Sequence, residues 1–441
     1  MSISPAPARR RRVVLLATFT SVATMGLALG YTAWRDAQAA TMIAEAHARL
    51  EASLLEAPGL DRIQASTASS LLERAEALGA GTDEVRGLAH YARGLEDLQR
   101  GDLLLAEGEL GSAVQFLGET ADLHVFAAAL SRGRVLMDDA EAELDQALAI
   151  DPHHPRALLL AADIALDRGE HEDARTRLEA LVAEYPTSGP LHNRYALALE
   201  GLGDREGAER ELRQATQLDR VGHDPWINLG RLLRETGRHE ESLAAFETAV
   251  ARASTNPDAI LGRGLERAAN GQVEGAEQDF RRAAELAPND AEPLLALGDL
   301  QRDLGMVEEA VTTYRLAIDR EDADAASWLK LGNALALLED YAQAERAYRA
   351  ALRRAEDLGA AHNGLGAALM HQDRTAEART ELERAATIDP SDPNPLMNLA
   401  LMAERDEDVE ARRQAWERVL RVWPESPIAA RRLARLSAQR G

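Results

Sequence analysis

The sequence predicts an all-α fold: an α-solenoid of about ten 34-residue helix-turn-helix units following a single N-terminal transmembrane helix. Three observations predict it. A 34-residue period runs without insertion or deletion from Gly87 to Ser426. The chain of 441 residues is 4% aromatic and holds 85 alanines and 31 glycines, a composition suited to helices that approach closely through small residues. Finally, 22 consecutive uncharged residues, Val13 to Trp34, stand behind four arginines.

The N-terminal run comes first. As a helix it would span roughly 33 Å, about one hydrocarbon core. Arg9 to Arg12 precede it and a cancelling Arg35-Asp36 pair follows, so residues 1–12 are expected in the cytoplasm, 13–34 in the membrane and the remainder across it. Ala37-Gln38-Ala39 also satisfies a small-x-small cleavage pattern, which leaves a cleaved secretory signal as the alternative. Both readings export the body. With Lys330 the only lysine and no Asn-x-Ser/Thr acceptor, a bacterial inner-membrane protein with a periplasmic body is the expected localisation.

Residues 35–86 are expected to form a helical linker. Ile43, Ala46, Leu50 and Leu54 share one face of a first segment ended by Pro58-Gly59, and Ser66 to Leu78 make a second. In the repeat register Glu76 would fall at position 24, so no eleventh unit is counted.

Ten units start at Gly87, Ala121, Pro155, Gly189, His223, Pro257, Ala291, Ala325, Gly359 and Pro393. Position 8 is Gly or Ala in all ten, and position 20 is Ala or Ser in nine, Arg412 breaking the rule. Position 24 is large and apolar throughout, from Leu110 to Trp416, and position 27 is Ala except at Leu181 and Val419. Position 15 is Gly in six units, where a helix must stop in a left-handed conformation. Apolar positions 4, 7, 8 and 11, then 17, 20, 24, 27 and 28, give two amphipathic helices of about 14 residues per unit. One such hairpin cannot bury its own apolar face, so units must stack. After residue 426, residues 427–441 read as a capping helix burying Ile428, Leu433 and Leu436, with Arg431, Arg432, Arg435 and Arg440 outward.

This pattern resembles the tetratricopeptide repeat. Unit 223–256 matches it with Trp226, Leu229, Gly230, Leu233, Gly237, Phe246 and Ala249, and unit 325–358 with Trp328, Leu331, Gly332, Leu335, Ala344, Tyr348 and Ala351. The resemblance implies a right-handed superhelix whose concave face, lined by the first helices, binds extended peptides or partner helices. It also directs positions 2, 5, 9, 12 and 13 into that groove. The candidate partner-binding residues are therefore Tyr91, Ile227, Leu261, Leu295, Leu329, Asn363 and Met397 at position 5, Arg231, Leu265 and Asn333 at position 9, and Lys330 at position 6. So apolar a set suggests an apolar strip on the ligand; the bland alternative is that position 5 is partly core. Some members of the family hold a partner's C-terminal carboxylates with basic residues at position 5, and those are missing here.

Composition excludes more than it suggests. The net charge of -24 repels phosphate backbones, so nucleic acid is not an expected partner. Cysteine is absent, which removes disulfides, thiol nucleophiles and Cys-ligated zinc. The four histidines at position 4 (His90, His124, His192, His362) sit at helix-packing sites without metal-motif spacing. No Gly-x-Ser-x-Gly occurs, and Gly364-x-Gly366 has no preceding strand. The expectation is a non-enzyme without cofactor or metal, a membrane-anchored scaffold for protein or peptide partners. Two alternatives remain open: an assembly factor that holds exported clients, of the translocon or cytochrome c maturation type, and the regulatory subunit of an envelope enzyme complex such as polysaccharide synthesis.

Overall fold

The computed structural model describes residues 31–52, 61–219, 222–320, 324–404 and 409–438, and among them are 23 α-helices and no strand. Two helices come first, α1 (Tyr31–Ala52) and α2 (Asp61–Ala77). Helix pairs then follow: α3 (Asp83–Arg100) with α4 (Leu103–Leu117), α5 (Ala121–Gly133) with α6 (Met137–Ile150), α7 (Pro155–Asp167) with α8 (His171–Glu184), and α9 (Gly189–Gly201) with α10 (Arg205–Leu218). The succession continues with α11 (Asp224–Glu235), α12 (His239–Arg252), α13 (Pro257–Ala269), α14 (Val273–Leu286), α15 (Glu292–Asp303), α16 (Val307–Ile318), α17 (Ala325–Leu337) and α18 (Tyr341–Arg354). It ends with α19 (Gly359–His371), α20 (Thr375–Ile388), α21 (Pro393–Ala403), α22 (Val409–Val422) and α23 (Pro427–Ala438). Two compact units are distinguished, one closing at Leu229 and one opening at Gly230.

Each hairpin closes on the small residues of the period. Position 20 has no accessible surface in any of its nine small residues, from Ala106 to Ala378, and position 27 is equally buried. The bulky residue at position 24 fills the remaining space: Leu178, Leu212, Phe280, Tyr314 and Trp416 are all buried. Size matching is tight. A Cβ built on Gly230 would meet the Phe246 ring at 2.8 Å, on Gly264 the Phe280 ring at 2.7 Å, on Gly298 the Tyr314 ring at 2.5 Å and on Gly332 the Tyr348 ring at 2.6 Å. Position 6 of the following unit closes on the same rings, through Gly262 against Phe246 at 2.2 Å and Gly364 against Tyr348 at 2.6 Å. Helices therefore touch across these glycines nearly backbone to ring.

Turn geometry repeats with the same period. The six glycines at position 15 have φ between 72° and 82°, the left-handed region that stops a helix. Val135, Glu339 and Asp373 occupy that position in three other units and are left-handed too, at φ 63°, 59° and 58°. The conformation is imposed by the hairpin on whatever residue stands there.

The two ends of the chain compare differently with the sequence expectations. The expected membrane helix over residues 13–34 lies, up to residue 30, outside the described residues, as does the basic segment 1–12; residues 31–34 open α1. Among the described residues no helix is long and apolar enough to cross a membrane. In the terminal helix α23, Ile428 is exposed rather than buried. The inward face is Ala429, Leu433 and Leu436, spaced by four and three, which turns Ile428 away from the core. Arg432 is half-exposed and reaches the Glu404 carboxylate at 2.8 Å, and Arg440 lies outside the described residues. Within the stretch expected as a linker, α1 and α2 share a core with α3 made of Ala46, Leu50, Leu72, Leu88 and Tyr91.

Successive second helices are joined by polar contacts as well. Glu345 on α18 is buried and accepts hydrogen bonds from Arg374 at 2.7 and 2.8 Å and from Gln372 at 3.0 Å, both in the turn between α19 and α20. Burial pushes the Glu345 carboxyl up, but the bonds from Arg374 and Gln372, with Arg349 nearby, outweigh it and hold the group below its ordinary value. A folded-state value below the unfolded one adds stability above the unfolded pKa, and that gain disappears as pH falls through the folded one.

Two outcomes follow. Gly332→Leu should cost roughly 1–3 kcal/mol by forcing the Tyr348 ring out of place, read as a lower melting temperature and new protease cleavage in the turns beside α17. Glu345→Gln should cost roughly 1.5–3 kcal/mol at neutral pH, and the difference in melting temperature from wild type should begin to shrink near the ordinary glutamate value of about 4 and vanish only below the lowered folded-state value.

Candidate functional site

The first helices carry the candidate binding residues, and burial sorts them. In the unit closing at Leu229, Tyr91 on α3 is buried against α1, and its hydroxyl accepts from Arg156 at 3.0 Å. Burial is the main cause of its pKa being pushed up to about 12. Arg156 on α7 also donates to Asp122 at 2.9 Å and to the Leu50 carbonyl of α1. Tyr91 is thus a packing residue, buried in the core that α1, α2 and α3 share. Ile227 on α11 is half-buried.

In the unit opening at Gly230, Leu261 on α13 is also core, packed with Phe280 and Leu297. Leu265, Leu295, Leu329 and Met397 are half-buried, their inner sides against the same clusters and the rest accessible. Arg231 and Asn363 are half-buried as well, and Asn333 is exposed. Leu401 on α21 is exposed.

The polar candidates are already engaged with the neighbouring helices. Lys330 on α17 forms an ion pair with Asp299 on α15. The Tyr348 hydroxyl donates to Asn333 at 2.9 Å, and Asn398 on α21 donates to Asn363 on α19 at 2.9 Å. In the other unit, Asn228 donates to Asn193 at 2.9 Å, and Arg194 on α9 reaches Asp163 on α7 at 2.8 Å. Position 6 of one repeat thus bonds position 5 or 9 of the repeat before it, four times over. These contacts fasten first helices side by side, and Leu265, Leu295, Leu329, Met397 and Leu401 keep accessible apolar surface on this face. Among the described residues no group of three or more His, Asp or Glu side chains could hold a metal ion.

Comparison with known proteins adds the family. Residues 137–198 match one family model, and residues 195–257, 261–327 and 329–393 match a second, each described as Tetratricopeptide repeat. The chain carries tetratricopeptide repeats. The human tetratricopeptide repeat protein 7B is 31% identical over 119 residues, 27% of this chain and 14% of that protein, and human tetratricopeptide repeat protein 7A is 24% identical over 114 residues, 26% and 13% respectively. The chain thus spans about one seventh of the length of these relatives. Among solved structures, the Cut9-Hcn1 hetero-tetramer of the APC/C is similar with a TM-score of 0.48 and 15% identity, over 97% of this chain and 95% of that one. Yeast Tom70 is similar with a TM-score of 0.45 and 16% identity, over 91% and 96%.

Within the tetratricopeptide units the histidines of position 4 have a specific partner that composition and motif searches missed. His90 Nδ1 lies 2.7 Å from Glu109, His124 2.7 Å from Glu143, His192 2.6 Å from Glu211 and His362 2.6 Å from Glu381. Each pair joins the two helices of one hairpin across 19 residues. The signal was present as internal covariation: position 23 is Glu in the four units whose position 4 is His, and in no other. In the remaining units position 4 is Leu, Ile or Trp. A polar group at this packing site therefore demands its acceptor, as burial requires.

Removing one member alone, as in Glu381→Ala, should cost roughly 1–3 kcal/mol by stranding the His362 imidazole. Replacing both, as in His362→Leu with Glu381→Ala, reproduces the Leu396 and Ala415 combination of the last unit and should restore most of that loss, measured by thermal unfolding.

Proposed function

We propose that this chain is a non-catalytic scaffold that binds an apolar segment of a partner protein along its first helices, held at the membrane by residues 13–34 with its repeats on the periplasmic side of a bacterial inner membrane. The observation that carries the binding proposal is the division of labour on the first-helix face. Several of its polar side chains are paired with one another, while Leu295, Leu329, Met397 and Leu401 keep accessible apolar surface. A ligand that met this face would gain by covering those side chains and would find few groups to neutralise a terminal carboxylate. The missing basic residues at position 5, together with Lys330 held by Asp299, weigh against recognition of an acidic tail. Anchorage is supported by the 22 uncharged residues and by the arginines before them.

The test separates binding from folding. Leu401→Glu sits on accessible surface and should leave helicity intact while reducing partner recovery from membrane extracts by tenfold or more, a loss of about 1.4 kcal/mol or greater. Leu295→Glu, whose side chain is half core, should weaken recovery and lower the melting temperature together. Undiminished recovery with Leu401→Glu would move the binding face elsewhere. For anchorage, the full chain should remain in the membrane fraction after carbonate washing, and a reporter fused after Gly441 should be active only in the periplasm.

A further inference from the structure

The first two hairpins expose an apolar patch that the repeat pattern does not require. Leu104 and Leu105, at the start of α4, are 81% and 61% exposed, and Val135 and Leu136, between α5 and α6, are 77% and 47% exposed. The two turns adjoin: Arg134 donates to Glu107 at 2.6 Å, and a Cβ on Gly133 would lie 3.1 Å from the Leu103 side chain. Val135 is the most unusual residue of the patch. It holds the left-handed position that six other units give to glycine, at φ 63°, where a β-branched residue is strained. Its side chain is largely in solvent, so little packing within the chain offsets that strain. An apolar, strained and exposed residue is placed for a contact from outside.

The rim of the patch defines the charge of what covers it. Residues 101–145 hold ten acids, of which Glu107, Glu109, Asp122, Asp138, Glu141 and Glu143 are paired with nearby arginines or histidines, whereas Asp102 and Asp139, beside Leu104 and Leu136, are exposed and make no ion pair among the described residues. The complementary surface is carried by the same chain at its other end. Residues 409–438 hold seven arginines against three glutamates, in a chain whose net charge is -24. Arg418, Arg421, Arg431 and Arg435 are exposed and have no carboxylate partner among the described residues. Ile428, Arg431 and Arg435 follow one face of α23 at spacings of three and four, and the exposed Trp423 stands in the turn before that helix.

We propose that the Leu104–Val135 patch of one copy receives the Trp423–Arg435 surface of a second copy, so that chains associate head to tail. Aliphatic side chains meet Trp423 and Ile428, and the acids of the rim face the unpaired arginines. The contact is heterologous, each copy offering one of each surface, so association continues beyond two copies unless a ring closes.

Light scattering on the full chain in detergent measures this, read as protein mass against concentration. At low ionic strength the mass should rise with concentration above the 47.9 kDa of one chain, and added salt should reverse the rise. Two variants block one surface each: Leu104→Asp with Val135→Gly, and Arg431→Glu with Arg435→Glu. Either alone should associate at least tenfold more weakly. Mixed in equal amounts, they should form pairs and nothing larger, because each retains the surface that the other lacks. Val135→Gly alone should raise the melting temperature while weakening association, which separates the contact from folding. A wild-type mass that stays at one chain at every concentration, a blocked variant that associates like wild type, or a mixture that forms no pairs would each overturn the proposal.

Discussion

Everything in this molecule depends on how closely two helices can approach at positions 8, 20, 24 and 27. An alanine without accessible surface at position 20 and a ring or leucine at position 24 set the depth of each hairpin. The residue at position 8 then has to be as small as that neighbour demands. Where position 24 is Phe or Tyr, in four successive units, position 8 is Gly. In the units starting at 121, 155 and 189, position 24 is Leu and Ala fits, whereas the units starting at 87 and 359 set Gly94 and Gly366 beside Leu110 and Leu382, where a Cβ would meet Phe126 at 2.5 Å and Leu382 at 2.6 Å. The last unit combines Ala400 with Trp416, whose indole N–H donates to Glu404 at 3.1 Å. A repeat of constant length is thus obtained from several compensating pairs of sizes.

Once the hairpins are packed, polar side chains settle the order between neighbours. The contacts from position 6 to position 5 or 9, the His–Glu pairs within hairpins and the Glu345–Arg374 contact all satisfy groups that close packing has removed from water. The first-helix face also keeps accessible apolar side chains, and the proposed binding chemistry rests on those. Charge is distributed differently. The chain is acidic overall, but its last two described helices are basic, and this asymmetry underlies the proposed contact between copies.

The repeat was legible in the sequence because its signal is one of size at fixed spacing, and size is what the hairpin selects. The left-handed stop at position 15 was legible from its six glycines and extends to Asp373, a residue type that tolerates it, and to Val135 and Glu339, which local propensity would not have placed there. Position 5 was less legible. It lies between a first helix and its neighbour, so whether a residue there is accessible depends on what stands opposite: α1 covers Tyr91, and the Phe280 cluster takes in Leu261, while Leu295 and Met397 stay half open. In α23 bulk misled, because the small Ala429, not the larger Ile428, fits against the preceding helix. The His–Glu pairs could have been found by comparing units with each other instead of searching for motifs along the chain.

The central claim, that paired sizes at positions 8 and 24 hold the array together, is tested most directly by the effect of Gly264→Ala measured in two backgrounds. With Phe280 in place, the added methyl meets ring carbons at 2.7 and 2.9 Å, and thermal unfolding should show a loss of stability. With Phe280→Leu, the pairing becomes the Ala and Leu of the units starting at 121, 155 and 189. The same substitution should then be neutral or stabilising, by up to about 1 kcal/mol, because alanine is the better helix former. An equal loss in both backgrounds would contradict the claim and show that the two positions do not sense each other's size.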